Sequence, residues 1–100
     1  MKITFEMLIP YSELATQKNF DKANKKEDCD LRRKMVIANH KLATQDNYKK
    51  ANQKMEGDWA VRYHMVKVNP ELATQKNFDD ERDYYVRCIM MEVNPALKDN

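Results

Sequence analysis

Residues 13–21 read ELATQKNFD, residues 71–79 read the same nine letters, and a variant, KLATQDNYK, stands between them at 41–49. A chain that repeats itself at intervals of this size builds its fold from stacked copies of one unit, since one short copy cannot bury an apolar face alone. The repeat is longer than the quoted string. Aligning Leu14, Leu42, Leu72 and Leu97 brings Met7, Met35, Met65 and Met90 into one column. Ile3, Leu31, Val61 and Val86 fall into another, followed by Thr4, Arg32, Arg62 and Arg87. The units run approximately over 1–28, 29–58, 59–83 and a truncated 84–100, within one small domain.

Each unit divides into two halves of different character. The upstream halves, KITFEMLI, LRRKMVI, AVRYHMVKV and YVRCIMMEV, are rich in β-branched and aromatic residues and predict strands. The downstream halves are rich in Ala, Leu, Lys, Gln and Glu and predict helices, with Asn69 before Pro70 and Glu71 as an N-cap candidate. The expected fold class is therefore α/β or α+β, about four strands with the helices packed on one face of the sheet. An all-α repeat is the alternative. The columns at Leu31, Met35, Ala38 and Leu42 step by helical intervals, but continuing such a helix would place Pro10, Pro70 and Pro95 inside it.

Composition excludes several function classes. A single glycine, Gly57, leaves no glycine-rich phosphate loop. A net charge of +2 is far from the basic excess of a protein held on nucleic acid mainly by phosphates. No apolar run approaches a membrane span, the N-terminus lacks the h-region of a signal peptide, and the two cysteines, Cys29 and Cys88, form no CxxC or Cys/His cluster. These features predict a soluble cytoplasmic protein with no membrane partner and no cofactor.

On the strand reading, one sheet face carries Leu31, Met35 and Ile37, then Val61, Tyr63 and Met65, and packs under the helices. The repeated methionines are read as core filling rather than metal ligands. The other face carries Arg32, Arg62 and Arg87 in one row, with Lys34 and His64 in the next and Val36, Val66 and Met91 beyond. An open sheet face of that kind predicts partner binding. The expected partner is a protein, with homo-oligomer formation through the same face. RNA or single-stranded DNA on the arginine row, Lys34 and Tyr63 is the alternative.

Catalysis is not expected. His64 has Glu6 and Lys34 in its aligned row, yet no nucleophile stands at a defined place beside it. His40 replaces Pro70 in the register and predicts a helix start. The acidic runs KKEDCD and NFDDERD lack the spacing of a calcium loop and predict solvated turns. Within the repeated string, Leu, Ala and Phe are assigned to packing. Thr16, Gln17 and Asn19 fit no apolar stripe, which predicts a helix break near Gln17 with Asn19, Asn47 and Asn77 as caps. A polar face offering the same amides to a partner in each unit is the alternative.

Overall fold

The structure, a computed structural model, describes residues 12–26, 28–52 and 58–99. Among these residues it is all-helical, with six α-helices: α1 (Gln17–Lys25), α2 (Cys29–Ala38), α3 (Gln45–Asn52), α4 (Trp59–Val68), α5 (Gln75–Asp80) and α6 (Tyr84–Val93). Single 3-10 turns at Ser12–Leu14, His40–Leu42 and Pro70–Leu72 precede α1, α3 and α5.

No strand occurs among the described residues, so the α/β expectation is overturned and the all-α alternative describes the chain. The reason lies in where the side chains go. In α4, Val61, Arg62, Met65 and Val66 are buried, a one-and-four spacing that a helix turns to one side and a strand would scatter over both faces. The same places in α2 bury Arg32, Met35 and Val36. Tertiary burial of this stripe outweighs the strand preference of Val, Ile and Tyr, which is worth at most about 1 kcal/mol per residue. The proline objection also fails in the structure. The helix before Pro70 ends at Val68, Asn69 is extended at φ −134° and ψ 86°, and Pro70 opens the 3-10 turn, where its missing N–H costs nothing.

The downstream halves are helical, as expected, but interrupted. After each 3-10 turn an Ala-Thr step breaks the chain direction, and an α-helix restarts at Gln17, Gln45 or Gln75. Thr is the cap. Thr16 Oγ1 accepts from the Asn19 amide at 3.2 Å, Thr44 from Asn47 at 3.1 Å and Thr74 from Asn77 at 3.1 Å. The asparagines, expected to cap, instead turn their own Nδ2 back onto the carbonyls of Leu14, Leu42 and Leu72, each at 2.8 Å.

The helices form two rows. α2 packs along α4 and α4 along α6, while α1 rests on α2 and α3 on α4. The body is elongated, 46 × 23 × 19 Å, as a stack of units should be. One core runs through it, with Phe20, Met35, Val36, Tyr48, Val61, Met65, Val66, Phe78, Val86 and Met90 at about full burial. Of the methionine column, Met35, Met65 and Met90 are described, and all three lie in that core. Met7, with the rest of residues 1–11, lies outside the described residues.

Candidate functional site

The arginine row is the first place where the expected site changes. Arg32 is wholly buried, and its guanidinium donates to both Asp58 carboxylate oxygens at 2.9 and 2.7 Å, to Asn24 Oδ1 at 3.1 Å and to the Asp28 carbonyl at 3.3 Å. Arg62 does the same one unit on. It grips Glu81 through Nε and Nη2 at 2.8 and 3.0 Å and donates to the Ala51 carbonyl at 3.1 Å. Arg87 lies over the Phe78 ring at 3.9 Å, donates to the Phe78 and Glu81 carbonyls, and pairs with Asp99 at 2.8 Å. Each arginine therefore ties its helix to the preceding short helix and to an acid further along the chain. Fork-shaped guanidinium is suited to that task where lysine is not.

Val36 and Val66 are also wholly buried. Their equivalent on the last helix, Met91, is 43% exposed because no further described helix covers it. Among the described residues there is no open sheet face, and the arginine-edged band that it implied is not exposed. Lys34 and His64 remain half-buried on the outer side of α2 and α4.

The Thr-Gln-Asn string joins units to one another. Gln17 and Asn47 exchange two hydrogen bonds, both at 2.9 Å, and Gln45 and Asn77 exchange two at 2.8 and 2.7 Å. Gln75 makes the same pair with the backbone of Lys98, donating to its carbonyl at 2.8 Å and accepting from its N–H at 3.0 Å. A second set of amides ties each long helix to the turn one unit back: Asn39 donates to Ala15, Asn69 to Ala43 and Asn94 to Ala73, at 2.7 to 2.8 Å. The amides, for which a partner-facing surface was the alternative to capping, thus meet the neighbouring unit. The acidic run NFDDERD is not a wholly solvated turn either. Glu81 is buried, where it accepts from Arg62, from Tyr48 Oη at 2.7 Å and from the Asp83 amide at 3.0 Å. Burial pushes the Glu81 carboxyl up, but the bonds from Arg62, Asp83 and Tyr48 and the Arg62 charge outweigh it and hold the carboxyl below its ordinary range.

What the fold leaves outside is an aromatic ridge. Trp59 and Tyr63, one turn apart on α4, meet edge to face at 6.4 Å. Trp59 also lies against Tyr85 of α6 at 5.4 Å, Tyr85 against Tyr84 at 5.8 Å, and Tyr63 against His64 at 5.5 Å. Tyr84 is 72% exposed, Tyr85 60% and Trp59 37%. The ridge is continuous from α6 to the α2 side of α4. There the charge changes: burial lowers the His64 pKa first, and the cations of Arg33, Lys67 and Lys34 lower it further.

The strand reading hid this ridge. It put Tyr63 on one face with Val61 and Met65, whereas on a helix two residues differ by about 200°. The four-residue spacing of Trp59 and Tyr63, and the Tyr84–Tyr85 pair at a helix start, were the available signals. Among the described residues no group of His, Cys, Asp and Glu could hold a metal ion, and Cys29 and Cys88 are free thiols. No helix among them is long and apolar enough to cross a membrane. Comparison of the chain with protein-family models, curated proteins and solved structures returns no match.

Proposed function

We propose that this chain is a non-catalytic docking module for a protein partner, which it binds through the ridge formed by Trp59, Tyr63, Tyr84 and Tyr85. One observation carries the reading. Large aromatic side chains are costly to leave in water, and here four of them from two helices touch in a continuous, partly exposed line on a body whose other repeated features are spent on internal packing. Trp and Tyr are the side chains that most often anchor protein interfaces, because they bury a large area with few rotatable bonds. The free thiols support a reducing, cytoplasmic setting.

Single-stranded nucleic acid is the competing occupant, since bases also stack on aromatic rings. The rings of the ridge cover one another, which leaves few open faces for stacked bases, and Arg32, Arg62 and Arg87 are occupied internally, so the arginine column offers no row of charge to a phosphate backbone. A photo-crosslinking residue placed at Tyr85 in host extract should yield discrete protein adducts that disappear in the Trp59→Ala background. The same probe at exposed Lys18 should yield none of them. Adducts that are nucleic acid, or equal labelling at both positions, would overturn the proposal. Light scattering of the purified chain reads self-association separately.

A further inference from the structure

We infer that the partner segment is acidic as well as apolar: a stretch of polypeptide with a large apolar side chain seated on Trp59 and Tyr85, and a carboxylate three or four residues away facing Arg33 and Lys67. The inference rests on the docking proposal and adds the chemistry of the occupant. Trp59, Tyr63 and Lys67 fall at four-residue steps along α4, so they form one line with about 6 Å between members. Lys67 is exposed, about 12 Å along the helix from Trp59. Arg33 occupies on α2 the place that Tyr63 occupies on α4, and α2 packs along α4. An extended chain covers about 12 Å in three to four residues, which sets the spacing of the two anchors.

The charge is real at this end of the ridge. The cations of Arg33, Lys67 and Lys34 all reach His64, whose ring touches Tyr63 at 5.5 Å. The acid that competes is Asp30, which meets Arg33 at 3.5 Å with its own side chain 78% exposed. A long, open pair of that kind is worth little and gives way to a ligand carboxylate. Aromatic anchors beside the Arg33 and Lys67 cations define an acidic-apolar ligand by complementarity.

The test uses the full chain and a displayed library of random 12-residue peptides, selected in parallel on the wild type and on Trp59→Ala/Tyr85→Ala. Peptides enriched on the wild type alone should carry Asp or Glu three or four residues from Phe, Leu or Trp. Their affinity, read by the fluorescence of Trp59, should fall about tenfold in Arg33→Gln/Lys67→Gln and fall further with added salt. Circular dichroism checks that both variants remain helical, and Glu→Gln peptides on the wild-type chain test the charge without altering the protein. Enriched peptides with no acidic excess, or acidic ones indifferent to both charge changes, would overturn this inference while leaving the docking site standing. No enrichment over the Ala variant would overturn both. A fluorescent oligouridine that binds and displaces the peptides would show that the ridge belongs to nucleic acid.

Discussion

Gln45 and Asn77 stand 32 residues apart in sequence and exchange two hydrogen bonds, Gln45 Nε2 to Asn77 Oδ1 at 2.8 Å and Asn77 Nδ2 to Gln45 Oε1 at 2.7 Å. Asn77 is also the residue whose second Nδ2 proton goes to the Leu72 carbonyl and whose backbone N–H goes to Thr74. One side chain thus closes the break inside its own unit and fixes the register of the unit before it. The invariance of the Thr-Gln-Asn string has a mechanical explanation in this arrangement. Thr starts the helix, Asn satisfies an orphaned carbonyl, and Gln reaches the next Asn.

Asn77→Leu should destabilise the fold by about 2–4 kcal/mol, because it strands the Leu72 carbonyl and removes both hydrogen bonds with Gln45. Gln45→Ala should cost less, about 1–2 kcal/mol, since Asn77 keeps its bond to Leu72. Urea midpoints measure both. A double-mutant cycle should show coupling of more than about 0.5 kcal/mol, and strict additivity would mean that the pair contributes nothing.

Breaking the buried ion pairs should be more damaging than deleting them. Arg32→Leu leaves Asp58 buried without its partner and should cost about 3–5 kcal/mol. Arg32→Leu combined with Asp58→Leu should recover much of that loss, as buried pairs replaced by packed apolar groups commonly do. The exposed pair Lys50–Asp46 serves as the control, and Lys50→Ala should change stability by less than about 1 kcal/mol.

Stability should fall on acidification in two stages. His64 has a lowered pKa in the fold, so its contribution is complete above its ordinary value of 6.5 and is lost as pH falls through its lowered folded value. Glu81 is also lowered, so its contribution is complete above its ordinary value of 4.5 and is lost as pH falls below that toward its folded value. Thermal unfolding across pH 3–8 should show both. His64→Gln flattens the upper stage, and Glu81→Gln flattens the lower one at a large cost in stability at neutral pH.

Val66→Asp should unfold the chain, because it puts a carboxylate at a wholly buried place in the core. Met91→Asp, at the equivalent place on the last helix, should leave the circular dichroism spectrum unchanged. Trp59→Ala and Tyr85→Ala should likewise fold, each shifting stability by no more than about 1 kcal/mol, while partner adducts are lost. An intact Val66→Asp variant would contradict the burial of Val66 in the core.

The repeat, its columns and the absence of phosphate-loop chemistry were legible in the residues, as were the break near Gln17 and the apolar roles of Leu, Ala and Phe in the string. The class of the upstream half was not. LRRKMVI and AVRYHMVKV satisfy strand propensity locally, and only their packing against the neighbouring unit rewards the helical stripe. The arginine column was found correctly as a column and placed wrongly, because an arginine's burial depends on partners such as Asp58 and Glu81, 26 and 19 residues away.

Sequence by itself determined that one unit recurs and which side chains recur with it, since identity along the chain is visible without coordinates. Tertiary structure decided which of those side chains face inward. Gln17, Gln45 and Gln75 meet amides or a peptide of the next unit, the arginines meet acids that flank other helices or lie in the C-terminal segment, and Trp59 on α4 reaches Tyr85 on α6. These are contacts between residues distant in sequence, and they exist only once helices that each bury one stripe have stacked.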